Sequence, residues 1–208
     1  MILYAISGLG ADERAFSRIK TDCEIVHIDW LKPIKNESIK SYASRLSKVI
    51  DTSKPYGLIA VSFGGLIAIE ISKMLNPKIV FLISSIKTRA DLPWYFRLMG
   101  SLNFLKLVPE KLMIPPGFMI KHLFGTNNPF LMDIINETDT YFAKWASYEL
   151  CGWKNKTVLK NSILISGTSD RLLPITDNAD YSIENGNHFM IVSKSREISA
   201  IINKYLRN

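Results

Sequence analysis

The chain is predicted to fold as an α/β protein, a mostly parallel sheet of about six strands with helices on both faces. Two patterns lead there. Short apolar runs alternate along the sequence with longer segments of helical periodicity, as repeated strand–helix units require. The apolar runs are also nearly continuous, the mark of strands buried on both faces. At 208 residues and 47% hydrophobic content, the chain suits one domain, 1–208, with a sizeable core. No internal repeat or low-complexity linker divides it.

The first strand is Ile2 to Ile6, and it runs straight into Ser7-Gly8-Leu9-Gly10-Ala11-Asp12. Asp12 is a capping residue for a helix near 12–20, in which Ala15, Phe16 and Ile19 share a face. A second strand is expected near 24–28. The helix near 37–50 places Ile39, Tyr42, Ala43, Leu46, Val49 and Ile50 on one side, as packing on a sheet demands. Tyr56 to Val61 is the third strand. The helical run near 64–75 follows at once and closes at Asn76-Pro77, where proline cannot continue a helix. A strand near 79–84 comes next. The stretch of about 87–153 breaks the alternation, being helical in tendency and dense in Pro, Met and aromatic residues. Strands near 162–166 and 180–183 then precede a last helix near 194–207, with Ile198, Ile201, Ile202, Tyr205 and Leu206 at helical spacing.

Three separated segments carry chemistry. Ala60-Val61-Ser62-Phe63-Gly64-Gly65 sets Ser62 on a tight strand-to-helix turn, where Gly64 and Gly65 let the helix begin almost against the strand. Such a turn lifts the hydroxyl above the end of the sheet. It also aims the Phe63 N–H, at the helix N-terminus, toward an oxygen that turns negative in a tetrahedral intermediate. Gly167-Thr168-Ser169-Asp170 follows a strand and supplies a carboxylate able to hold an imidazole in one tautomer. Asp177 and Asp180 are rival acids whose positions near the next strand fit less well. Of three histidines, His27 lies in a strand and His122 in a helical stretch, whereas His188 lies in the turn Asn185-Gly186-Asn187-His188 before the last helix.

Serine, acid and histidine in that order resemble the triad of the α/β-hydrolase fold superfamily; two other folds with the same triad use different orders. The resemblance runs over almost the whole chain, with Ala60 where the elbow's first glycine is usual. It implies Ser62 as nucleophile, His188 as general base and Asp170 as its orienting acid. The loop Ser7-Gly8-Leu9-Gly10 is similar to the family's His-Gly-x-Gly loop, with Ser7 in the histidine's place, so the Leu9 N–H joins that of Phe63 as the oxyanion pair. The stretch of about 87–153 stands where the family inserts a cap, and its apolar side chains imply a pocket for an acyl chain or another hydrophobic group. The family's usual first two strands are absent, so the chain is expected to begin on an inner strand. The activity implied is hydrolysis of a carboxylic ester or thioester by a serine hydrolase, with a small-molecule acyl substrate. Acyl transfer by the same residues, and a non-catalytic ligand-binding protein on the same fold, are the alternatives.

Other classes find less support. No metal-ligand spacing, phosphate loop or dinucleotide fingerprint is visible, so neither metal nor cofactor is expected. The formal charge of +7 comes from cations spread along the chain, without a nucleic-acid motif, and no nucleic-acid partner is expected. These cations are expected to form a solvated surface; only if Lys87, Arg89, Arg97, Lys106 and Lys111 gathered into a patch in three dimensions would they attract an anionic substrate or a membrane surface. No signal peptide or transmembrane segment is expected, and Cys23 and Cys151 read as free thiols of a cytoplasmic protein. Oligomeric state is not encoded in these motifs.

Overall fold

The computed structural model describes residues 1–207. Its strands β1 (Ile2–Ile6), β2 (Glu24–His27), β3 (Tyr56–Val61), β4 (Val80–Ile83), β5 (Ser162–Gly167) and β6 (Tyr181–Ile183) form one sheet in the order β2-β1-β3-β4-β5-β6. Every neighbouring pair is parallel. β1 is an inner strand, and the buried run Leu3 to Ile6 is what that position requires.

Side chains alternate between the two faces of each strand. Tyr4, Ile6, Leu58, Ala60, Leu82 and Leu164 point to one face, packed with α1 (Ile39–Leu46) and α2 (Phe63–Ser72). All ten residues of α2 are buried, which explains why it is apolar nearly all round instead of striped. Its one charged residue, Glu70, accepts from the indole N–H of Trp153 at 2.9 Å and from Lys73 at 2.6 Å.

Between β4 and β5 the chain forms α3 (Trp94–Ser101), α4 (Phe104–Leu107), α5 (Gly117–Phe124), α6 (Pro129–Glu137) and α7 (Thr140–Gly152). These account for the break in alternation read from the sequence. After β6 come α8 (Met190–Ser193) and α9 (Ser195–Leu206). Met190, Ile198 and Ile202 cover the other sheet face, made by Leu3, Ala5, Ile59, Val61, Phe81 and Ile83. Both faces are therefore closed.

The helix expected near 12–20 is only a 3₁₀ turn, Glu13–Phe16, although Asp12 caps it through the Arg14 N–H as expected. The backbone groups that would extend it are spoken for elsewhere. Lys20 N–H donates to Ser199 Oγ at 2.9 Å, Asp22 N–H donates to Asn203 Oδ1 at 3.1 Å, and Asn203 Nδ2 donates to the Lys20 carbonyl at 3.0 Å. Side chains of α9 thus hold this segment where helix propagation would have.

Gly64 lies against the end of β1. A Cβ on it would come within 2.2 Å of the Ser7 carbonyl oxygen and 2.6 Å of that of Ile6, and neither backbone atom can step aside cheaply. Gly64→Ala is therefore expected to destabilise the protein by about 1–3 kcal/mol. Gly152→Ala, with nothing within 4 Å of its added Cβ, is expected to be neutral or slightly stabilising. Urea midpoints of the two variants check the contrast.

Candidate active site

The order of strands puts a switch point between β1 and β3, because the chain leaves β1 toward β2 on one side and returns to β3 on the other. In a parallel sheet the carboxyl ends of such a strand pair open a crevice between diverging loops. The register sets Ile6 opposite Ala60, so the loop after β1 and the turn after β3 meet there. A Cβ on Gly8 would stand 3.6 Å from the Ser62 Cβ.

Ser62 occupies φ 52°, ψ −123°, a conformation that costs a non-glycine residue about 1–3 kcal/mol and persists only when its surroundings hold it. They do so at both ends of the residue. Ser62 N–H donates to the Ile83 carbonyl at 2.9 Å, while its own carbonyl accepts from Gly65 N–H at 2.9 Å and from the Ser85 hydroxyl at 2.7 Å. Ser85 went unnoticed in the sequence. Its signal lies in strand register, since pairing Val61 with Ile83 sets the two residues after β4 beside the elbow.

His188 Nε2 lies 2.8 Å from Ser62 Oγ, and its Nδ1 lies 2.8 Å from Asp170 Oδ2. The Asp170 carboxylate is fully buried, and its other oxygen accepts from the N–H groups of Leu172 and Leu173, both at 2.9 Å. A carboxylate so placed is an acceptor only. Nδ1 therefore carries the imidazole proton, and the Nε2 lone pair faces the serine hydroxyl. Phe124 of α5 stands edge-on to the His188 ring at 5.1 Å between centroids. Sequence reasoning had no means to find that contact, which spans the insertion.

The rival residues sit elsewhere. Asp180 Oδ2 accepts from Lys87 Nζ at 2.6 Å and from Leu164 N–H at 2.7 Å, and Asp177 is exposed. His27 Nδ1 lies 3.1 Å from Asp29 Oδ1, and His122 is exposed beside Arg171. Glu13, His27 and Asp29 bring potential ligand atoms within 4.8 Å of one another, but both acids are exposed, and such groupings are common without an ion. Burial pushes the Cys151 thiol up to about 11, so it stays protonated at neutral pH and is no rival nucleophile.

The cations Lys87, Arg89, Arg97, Lys106 and Lys111 do not gather into one surface. Lys87 is buried in its pair with Asp180, and Arg89 donates to the carbonyls of Cys151 and Trp153, so Arg97, Lys106 and Lys111 are left.

Ser62 and His188 open into a cavity of about 400 Å³. Gly8, Leu9 and Phe63 line it near the serine. The insertion supplies most of the rest, with Tyr95, Phe96 and Met99 from α3 and Ile120, Leu123 and Phe124 from α5. Leu131 and Ile134 of α6 and Leu150 of α7 complete the far wall. Among the described residues no Asp, Glu, Lys or Arg lines it, and burial together with the nearby Asp170 charge raises the pKa of the Tyr95 hydroxyl. The cavity therefore suits an uncharged, largely apolar group.

No family model matches the chain, and no curated protein sequence does. Solved structures do. A candidate lipase from Acinetobacter baumannii AYE superposes with a TM-score of 0.73 at 18% identity, over 99% of this chain and 83% of that one. A hydrolase from Oleispira antarctica gives 0.71 at 12% identity, over 100% and 91%. The RedJ thioesterase of the prodiginine pathway in Streptomyces coelicolor gives 0.63 at 17% identity, over 96% and 84%. At such identities the likeness is one of architecture, and with a wholly parallel sheet, a serine turn at its switch point and a helical insertion after β4, the chain has the α/β-hydrolase fold.

Proposed function

We propose that the chain is a serine hydrolase that cleaves a carboxylic ester or thioester with an apolar acyl group through an acyl-enzyme intermediate. The observation that carries this reading is the unbroken chain of hydrogen-bonding distances from Ser62 through His188 to Asp170, opening on an apolar cavity. The similar structures, described as a candidate lipase, a hydrolase and a thioesterase, agree with it. In this reading the insertion is a cap, the substrate is a small acyl compound, and the working compartment is the cytoplasm, where two unpaired cysteines persist. Acyl transfer to an acceptor other than water would use the same residues.

Ser62 Oγ attacks the acyl carbon as its proton passes to His188 Nε2. Asp170 stabilises the imidazolium and holds its plane. The carbonyl oxygen, now negative, takes hydrogen bonds from the Leu9 and Phe63 N–H groups. Collapse expels the alcohol or thiol, which receives the proton held on Nε2. Water then repeats the sequence against the acyl-enzyme, giving its proton to His188 and releasing the acid as Ser62 regains its own.

Ser62→Ala is expected to abolish labelling by a fluorophosphonate probe and nearly all turnover of an activated ester, with the unfolding curve unchanged. Mass spectrometry of the wild-type adduct checks the site; an adduct elsewhere, or full turnover in the variant, would refute the assignment.

Asp170→Asn is expected to lower kcat on the order of 10⁴-fold, because an amide in that place selects the wrong imidazole tautomer. Asp177→Asn, at an exposed position, is expected to leave kcat within about twofold, since surface changes away from special features are mild. Steady-state kinetics on one ester separates the two.

If the acyl chain enters the cavity, each methylene it buries is expected to improve transition-state binding by up to about 0.8 kcal/mol, or roughly fourfold in kcat/KM, until the cavity is full. A p-nitrophenyl ester series from acetate upward measures this. A preference for acetate would show that the acyl group stays outside.

A further inference from the structure

The insertion has an outer surface that the chemistry at Ser62 does not use. Among the described residues, nine of the sixteen large apolar side chains that lie exposed fall between Trp94 and Met119, an eighth of the chain. Leu107 is 83% exposed, Phe118 74%, Leu112 69% and Trp94 67%. Scattered exposed apolar residues are ordinary, but a concentration of this kind marks an interaction surface. The helices concerned are apolar on two sides. α3 turns Phe96 and Met99 toward the cavity and leaves Trp94 and Leu98 in water, with Leu102 exposed just past its end, and α5 turns Ile120, Leu123 and Phe124 inward and leaves Phe118 and Met119 out.

The charges interleaved with these residues select the partner. From Trp94 to Phe124 the chain carries Arg97, Lys106, Lys111 and Lys121 against the single acid Glu110. Lys106, Lys111 and Lys121 are exposed. A second copy of the chain would bring the same positive surface, and a net +7, against this one. An anionic bilayer offers both what the cations attract and what the Trp, Phe and Leu side chains enter, the headgroup layer and the acyl boundary beneath it.

We propose that the outer face of the insertion, from Trp94 to Phe124, docks on an anionic lipid surface. Trp94, Leu107 and Phe118 enter the interface while Lys106, Lys111 and Lys121 meet the headgroup phosphates. Docking does not depend on the hydrolase reading, and its test reads binding instead of turnover.

The full chain is sedimented with vesicles of phosphatidylcholine alone and with vesicles of phosphatidylcholine and phosphatidylglycerol in equal parts. Binding is expected to the mixed vesicles, to be at least tenfold weaker to the neutral ones, and to weaken as salt rises. Replacing Trp94, Leu107 and Phe118 together by Ser is expected to reduce binding at least tenfold. Changing Lys106, Lys111 and Lys121 to Gln is expected to reduce it about fivefold per lysine. None of these six side chains lines the cavity, so thermal unfolding is expected to stay cooperative, and each single serine variant serves if the triple one does not fold. Ser62→Ala is expected to bind as the wild type does, which keeps this test separate from the test of the chemistry. Failure to sediment, binding indifferent to the serine substitutions, or a dimer in sedimentation equilibrium that those substitutions dissolve would overturn the proposal.

Discussion

The contact on which the site depends is the one between the β1 carboxyl end and the first turn of α2. A Cβ on Gly64 would strike the carbonyls of Ile6 and Ser7, and one on Gly8 would meet the Ser62 Cβ. Parallel pairing of β1 with β3 brings the two loops level, and the missing side chains let them close. Were they held apart by a methyl group, the α2 N-terminus would tilt, carrying the Phe63 N–H away from that of Leu9. Helix, serine and loop are therefore one unit, fixed by backbone packing that few side chains can adjust.

Much of this was legible in the sequence because each piece is local. The strand runs are short and apolar, Ser62 is bracketed by a strand and a glycine pair, and Asp170 and His188 each follow a turn at the end of a strand. What was not legible is held by residues distant in the chain. Phe124 reaches His188 across 64 positions, an interval that no periodicity connects. The 12–20 segment reads as helical, yet Ser199 and Asn203, far along the chain, take up its backbone groups. The cations Lys87 to Lys111 read as a solvated surface that only three dimensions could gather into a patch, and burial of Lys87 against Asp180 removes a member from any such patch.

Strain and preorganisation meet at the serine. The backbone at Ser62 is held in its unfavourable region by hydrogen bonds at its N–H and at its carbonyl, from elements that are themselves buried. The imidazole is held likewise, with Asp170 on one side and Phe124 on its edge. In the proposed reaction neither group has to search for its partner, so the reorganisation that water would have to perform around a developing charge is done by folding.

The fastening of Lys20 and Asp22 to Ser199 and Asn203 also bears on how the chain comes into being. During synthesis β1, β3 and β4 emerge well before α9, the helix that covers Leu3, Ile59 and Phe81 on their second face. Until α9 leaves the ribosome, that face is an open row of apolar side chains on a parallel sheet, a surface to which other unfolded chains adhere. The nascent protein is thus most prone to aggregate between the emergence of β4 and that of α9, and whatever shields the sheet in that interval protects it.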